Sequence, residues 1–392
     1  VKHIIFAGIA LFTFTFYLSL LLTRLARGAA LRKGLVNKPS ANKLHKDPVP
    51  LGGGIAICLS TFIPLGIVLL FAWLAFAPEA TGENSQCPEW LPLSLAQHLP
   101  GILASAHMLG FMILGGLIMM LIGIRDDIKP LPPWRKLAGT VAVAVFLVVA
   151  GIRVTVFIGD DMISSIITIL WIVGITHVFN LLDNMDGLCA SVAGVISTIL
   201  MIVALQTGQL FVAAFLLVFI AALLGFLKYN FPPARIFMGD GGSLFIGYTL
   251  AMITIVFSFF DSEFGLPSGN LNRYYVVLVP ILLFAVPLFD TISVILIRIR
   301  EKRPIYTGDT CHFSHRLLKL GMTTRGSLLT VCLATLCTAL PAILLYRSHG
   351  TRFAGLTIAA VLVAQTVGII SVIVLLEKAA AKKNGNKDKT QK

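Results

Sequence analysis

Runs of about 20 apolar residues recur along this chain, and that recurrence constrains its fold more than any other feature. Such runs predict membrane-spanning helices, whose backbone polar groups are all satisfied internally. Of the 392 residues, 57% are hydrophobic and 12% are charged, and the mean hydropathy is +0.90. A soluble chain of this length would carry about a quarter charged residues. The reading is an all-α polytopic membrane protein with eleven spans, or ten if the short fourth is discounted. The spans fall near 4–22, 52–77, 103–124, 137–151, 165–181, 187–205, 210–227, 243–260, 274–297, 326–346 and 353–376. The first run is followed by a basic flank without a small-residue cleavage site, so it reads as a helix rather than a removed signal peptide. One integral-membrane domain is expected over 1–376, with a basic, disordered cytoplasmic tail over 377–392.

The formal net charge is +13. No basic stripe with interleaved aromatics is present, which argues against a nucleic-acid partner. The charge instead follows the membrane topology. Loops after odd-numbered spans, with the tail, hold 26 of the 31 Lys and Arg; Lys2, Arg153, Arg273, Arg347 and Arg352 are the remainder. By the positive-inside rule those loops are cytoplasmic, the N-terminus is outside and the C-terminus inside. The spacing of Cys58, Cys87, Cys189, Cys311, Cys332 and Cys337 fits neither a zinc site nor a disulfide framework. Cys332 and Cys337 read as small core residues, and His177 and Trp171 in the fifth span as core.

Five polar clusters interrupt this apolar chain: "HKDPVPLGGG" (45–54), "GIRDDIKP" (123–130), "NLLDNMDG" (180–187), "YNFPPARIFMGDGGS" (229–243) and "GDTCHFSHRL" (308–317). They follow spans one, three, five, seven and nine, so all five fall on the cytoplasmic side. A carboxylate left unpaired in hydrocarbon costs about 2.5–3.5 kcal/mol even on the lenient scale. Together the clusters supply carboxylates, Asn, His, basic residues and glycine-rich turns, the inventory for a divalent cation and a phosphorylated substrate.

Asp126 and Asp127 repel each other unless a cation or water intervenes; they read as metal or phosphate positioning, or as a solvated turn between Arg125 and Lys129. Helical spacing places Asn180, Asp183 and Asp186 along one face. Helix capping by Asp183 or Asn184, with Gly187 opening the turn, is the alternative. Asp240, flanked by glycines before an apolar run, suits close backbone approach to a phosphate at a helix N-terminus; an N-cap by Asp240 or Ser243 is the alternative. His312 and His315 lack a tetrahedral ligand set for zinc, and fit contact with phosphate or sugar better. Asp290, inside the ninth span, is a functional candidate by default, or the buried partner of a basic residue.

These clusters, in this order, resemble the polyprenyl-phosphate N-acetylhexosamine-1-phosphate transferases, the family of MraY and WecA/TagO-type enzymes. "PVPLGG" resembles the family's first-loop motif and "RDDIK" its aspartate pair. "NLLDNMDGL" is similar to N-x-x-D-G-x-D-G-L with Asn184 in place of the first Gly, and "FMGD" with the following "GSL" is nearly verbatim. The resemblance implies transfer of a sugar-1-phosphate from a UDP-amino sugar to a polyprenyl phosphate lipid, with release of UMP. It also implies a Mg²⁺ requirement, with Mn²⁺ as substitute, and a bacterial inner-membrane enzyme with a cytoplasmic-face site; a homodimer is compatible with it. It places Asp240 and Asn180 at the metal, Phe237 on uracil, and Asn230, Asp183 and Asp186 in the nucleotide pocket. Asp126 and Asp127 would face the attacking prenyl phosphate, and His45 and Lys46 would approach the nucleotide. The WecA/TagO branch carries H-x-H-H-R. "HFSHR" keeps His312, His315 and Arg316, with Ser314 at the middle histidine. That favours UDP-GlcNAc or a related donor over the UDP-MurNAc-pentapeptide of MraY proper. Direct attack by the lipid phosphate is expected, since its second pKa near ~6 leaves it largely dianionic at pH 7; a covalent aspartyl-phosphate route competes. A CDP-alcohol phosphotransferase fits less well because Ser191 stands where that motif has Arg. A cation-coupled transporter would need polar groups near mid-membrane.

Overall fold

In a computed structural model, residues 2–37, 48–76, 92–154, 160–263, 278–305, 310–343, 360 and 363 are described. The eleventh predicted span (Ala360 and Val363 apart), the tail, and His45, Lys46 and Cys87 lie outside them. The chain is an all-α polytopic membrane protein. Its described strands are β1 (Val36–Asn37) and β2 (Val49–Pro50), paired antiparallel with Val36 opposite Pro50. Eight helices are long and apolar enough to cross a bilayer, among the described residues.

The chain runs from α1 (Lys2–Arg32) through the hairpin to α2 (Gly53–Phe76), then the short α3 (Leu93–Ala96) and α4 (Leu99–Ala104). Next come α5 (Ala106–Ile128), α6 (Pro133–Val149), α7 (Asp161–Leu182), α8 (Leu188–Gln206), α9 (Leu210–Asn230) and α10 (Gly239–Glu263). The last are α11 (Leu278–Leu283), α12 (Ala285–Arg300), α13 (Phe313–Lys319) and α14 (Thr324–Ala339).

Two boundaries differ from expectation for physical reasons. α1 continues through Arg24 and Arg27 to Arg32, ten residues past the predicted span. Hydropathy detects the hydrocarbon-facing part of a helix, whereas long basic side chains extend it into the interface. The ninth span is broken at Phe284 into α11 and α12. Pro287 has no N–H and its ring clashes with the carbonyl four residues earlier, at Leu283. Pro133 opens α6, where a missing N–H costs nothing.

α10 is the central helix. The most apolar stretch of α10 is 94% buried, against 11% for α1. α10 packs mainly on α5 and α7. Small residues allow this, because lipid supplies no hydrophobic drive between helices and close backbone approach must. A Cβ on Gly247 would lie 2.7 Å from Thr176 Cα, and one on Gly123 2.3 Å from the Asp240 carbonyl carbon. Polar groups within the bundle are satisfied internally: Trp171 Nε1 donates to Thr254 Oγ1 at 3.0 Å, and Thr140 Oγ1 lies 3.1 Å from His177 Nε2. The five cysteines in the described residues are free thiols. Cys332 and Cys337 are half-buried rather than fully enclosed.

Candidate active site

The aspartate pair ends α5. A carboxylate at a helix C-terminus opposes the helix dipole, so each needs a partner from elsewhere. Asp126 finds two: its Oδ1 accepts from Leu131 N at 2.5 Å, and its Oδ2 lies 2.6 Å from Lys136 Nζ. Asp127 turns toward the start of α10. Its oxygens accept from Asp240 N at 2.9 Å and Gly241 N at 3.3 Å. The N-terminal amides that the sequence suggested for a phosphate are therefore capped by Asp127. Gly239 permits this contact. Its φ is +71°, and a Cβ there would lie 2.3 Å from Asp127 Oδ2.

Lys136, in the first turn of α6, was read from sequence only as a topology charge. Its ammonium lies between two carboxylates, pairing with Asp126 and with Asp240. On the other side of Asp240, Asn180 Nδ2 donates to Asp240 Oδ1 at 3.1 Å and to Ser243 Oγ at 2.9 Å. Asp240 is thus held from α6 and α7 at once. Asn180 stands beside Asp240, the other residue that the resemblance places at the metal.

The helical face expected for Asn180, Asp183 and Asp186 is not formed. α7 ends at Leu182, Asp183 is its C-cap, and Gly187, at φ +73°, is the N-cap of α8. The acids instead line a tight turn. Desolvation pushes the Asp183 carboxyl well above its ordinary range, and the charges of Asp240, Asp127 and Asp186 push the same way. Asp186 Oδ2 accepts from Ala234 N at 2.9 Å. Asn230 is 3% exposed; it accepts from Gly187 N at 3.0 Å and donates to Ile236 O at 2.8 Å. Its amide ties the acidic turn to the loop before α10.

That loop is also stitched to the first motif. Phe237 N donates to Pro50 O at 2.9 Å, while Gly53 N and Gly54 N each donate at 3.0 Å to Phe237 O and Met238 O. A Cβ on Gly54 would lie 2.2 Å from Gly242 N. The "PVPLGGG" glycines let α2 pack against the start of α10. Phe237 is half-buried.

The histidine segment docks from the far side. Asp290 on α12 accepts from Phe313 N at 2.6 Å and lies 2.8 Å from His312 Nδ1. Both its oxygens hold the start of α13, so its partner is His312 rather than a basic residue of its own helix. Arg316 donates to Ser293 Oγ at 3.0 Å. His315 is 7% exposed, and burial followed by the neighbouring His312 holds its imidazole below its ordinary range.

Among the described residues no three His, Cys, Asp or Glu side chains gather into a metal cage. The donor set still fits a hard cation. Lys136 shows that the Asp126–Asp240 pair accepts a positive charge, and Mg²⁺ typically uses one or two carboxylates together with waters and substrate phosphates.

The acid–amine cluster of Asp126, Lys136 and Asp240 joins α5, α6 and α10. Residues 109–258, from α5 into α10, match the family model described as glycosyl transferase family 4. The chain is 30% identical to the "Probable undecaprenyl-phosphate N-acetylglucosaminyl 1-phosphate transferase" of Bacillus subtilis, over 83% of this chain and 81% of that protein. It is 32% identical to the decaprenyl-phosphate N-acetylglucosaminephosphotransferase of Mycolicibacterium smegmatis, over 78% of this chain and 74% of that protein. A phospho-N-acetylmuramoyl-pentapeptide-transferase of Limosilactobacillus fermentum is 37% identical over 35% of this chain and 47% of its own. The chain belongs to this family of polyprenyl-phosphate N-acetylhexosamine-1-phosphate transferases.

Proposed function

We propose that this protein transfers GlcNAc-1-phosphate from UDP-GlcNAc to undecaprenyl phosphate, releasing UMP, for cell-envelope polysaccharide synthesis. The observation that carries it is the Asp126–Lys136–Asp240 arrangement, braced by Asn180 and Asp127. The full-length relatives act, by their names, on polyprenyl phosphates and N-acetylglucosamine phosphates.

A lipid phosphate oxygen attacks the β-phosphorus of the donor. The bond from that phosphorus to the UMP oxygen breaks, and UMP leaves. The barrier is electrostatic, two anions brought together, so fixed positive charge is the main requirement. Lys136 offsets the carboxylates of Asp126 and Asp240, so that less negative charge faces the incoming phosphates, and Asp126 fixes where Lys136 sits. Asp127 acts through the α10 terminus, aiming Asp240. Asp183 and Asp186 shape the acidic turn that faces the nucleotide, and Asn230 holds that turn in place. Phe237 offers a ring to the base. His312, His315 and Arg316 bring donors to the diphosphate, with Asp290 holding His312 and, like Arg316 on Ser293, fixing α13. His45 and Lys46, in the first loop, complete the nucleotide side. A Mg²⁺ or Mn²⁺ ion carried at Asp240, beside Asn180, would neutralise diphosphate charge when bound.

The charge distribution supports eleven spans with the N-terminus outside, the C-terminus inside, and the site on the cytoplasmic face of the bacterial inner membrane. Purified protein in detergent, given UDP-GlcNAc and undecaprenyl phosphate, is expected to release UMP and form lipid-linked sugar in equal amounts, and Asp240→Asn to abolish both. Turnover with UDP-MurNAc-pentapeptide but not UDP-GlcNAc would overturn the donor assignment. No UMP from any UDP-amino sugar would overturn the reaction.

A further inference from the structure

The two positions where the site motifs depart from the family pattern, Asn184 and Ser314, touch each other. Ser314 Oγ donates to Asn184 Oδ1 at 2.5 Å, across 130 residues of sequence. Neither side chain is loose. Asn184 Nδ2 donates to Leu181 O at 3.1 Å, which fixes the amide with its oxygen toward Ser314. Ser314 is 2% exposed, and its carbonyl accepts from Ser327 Oγ on α14 at 2.9 Å. His315 follows Ser314 directly in α13 and is itself buried.

Asn184 thus joins the acidic turn to the histidine segment at Ser314, the neighbour of His315. The Asp290 contacts to His312 and Phe313 fix that segment only to α12. The Asn184–Ser314 hydrogen bond ties the segment to the turn that contains Asp183.

We propose that Asn184 and Ser314 form a positioning pair that sets His315 against the acidic turn, and so sets the rate of the transfer step. This rests on the proposed reaction. The pair is assigned a positioning role, acting through His315. A hydrogen bond between two side chains that act as one unit is non-additive. Losing either partner should therefore cost as much as losing both.

The test compares wild type, Asn184→Ala, Ser314→Ala, the double variant and Ser314→Thr, each purified in detergent. Two readings are taken: UMP release from UDP-GlcNAc with undecaprenyl phosphate, and carbethoxylation of His315 by diethyl pyrocarbonate, followed by mass spectrometry. Each alanine variant and the double are expected to lose about tenfold in kcat, with KM for UDP-GlcNAc moving less than about threefold. His315 should react at least about threefold faster in all three, since a loosened segment opens more often. Ser314→Thr keeps the hydroxyl and should stay close to wild type in both readings. If it does not fold, Asn184→Asp, which keeps the accepting oxygen, takes its place. Losses that multiply in the double variant would overturn the proposal, as would a fall in kcat with His315 reactivity unchanged. A wild type that releases no UMP defeats the reaction assigned above; His315 protection then decides the pair, and equal reactivity in all five proteins would overturn it.

Discussion

Lys136 decides the electrostatics of the site. Two carboxylates, Asp126 and Asp240, are brought within reach of one ammonium, and without it they would face each other at the bilayer edge. Lys136→Met is expected to lower kcat by about a hundredfold or more, the scale of removing one preorganised charge, and Lys136→Arg to retain part of it; UMP release measures both. Asp127 caps α10, accepting from Asp240 N and Gly241 N. Asp127→Ala removes a cap and should cost about 0.5–2 kcal/mol in unfolding stability, read as a lower midpoint in thermal unfolding. His315 carries a pH dependence. Its folded-state pKa lies below the ordinary value because burial disfavours the imidazolium. Between the two values the unfolded chain binds more protons, so stability rises with pH through that window. It is complete above the ordinary value and is lost as pH falls through the lowered one. His315→Gln should flatten thermal stability against pH across that interval. Sequence exposed Asp126, Asp127, Asn180 and Asp240, because acids and amides stand out in an apolar chain. It hid Lys136, because a lysine beside a span reads first as a topology signal.

At the scale of elements, glycine sets the distances on which the site depends. α5 and α10 approach so closely at Gly123 that a Cβ would meet the Asp240 backbone, and backbone, unlike a flexible side-chain end, has little room to yield. Gly123→Ala is expected to push the aspartate pair away from Asp240. UMP release should fall at least about tenfold even where the protein still folds, since an ångström of misplacement is that costly. Activity normalised to folded protein checks this. Helix positions were largely legible from hydropathy, and α8, at Leu188–Gln206, falls within a residue of its predicted span 187–205. Helix ends were less legible. The α11–α12 break follows from a proline, whereas the end of α7 at Leu182 follows from tertiary contacts of the 183–187 turn, which a 3.6-residue period cannot reveal.

Across the whole molecule, segments as far apart in sequence as Pro50 and Phe237 converge at one end of the bundle. If that end holds the divalent ion proposed here, thorough chelation should abolish UMP release and added Mg²⁺ restore it. Turnover that survives chelation would remove the metal from the proposal. The sequence by itself determined the solvent this chain must fold in and the approximate course of its helices. It also named the short polar segments that interrupt the apolar runs, because apolar run length and the cost of a charge in lipid are local properties. Tertiary structure alone decided how those segments use their polar groups: which aspartate caps α10, which lysine lies between the acids, and that Asn184 and Ser314 are partners. Those pairings depend on the close packing of α2, α5, α7 and α10, and on α13 docking against α12 and α14. A contact between residues far apart in sequence leaves no periodic trace in it.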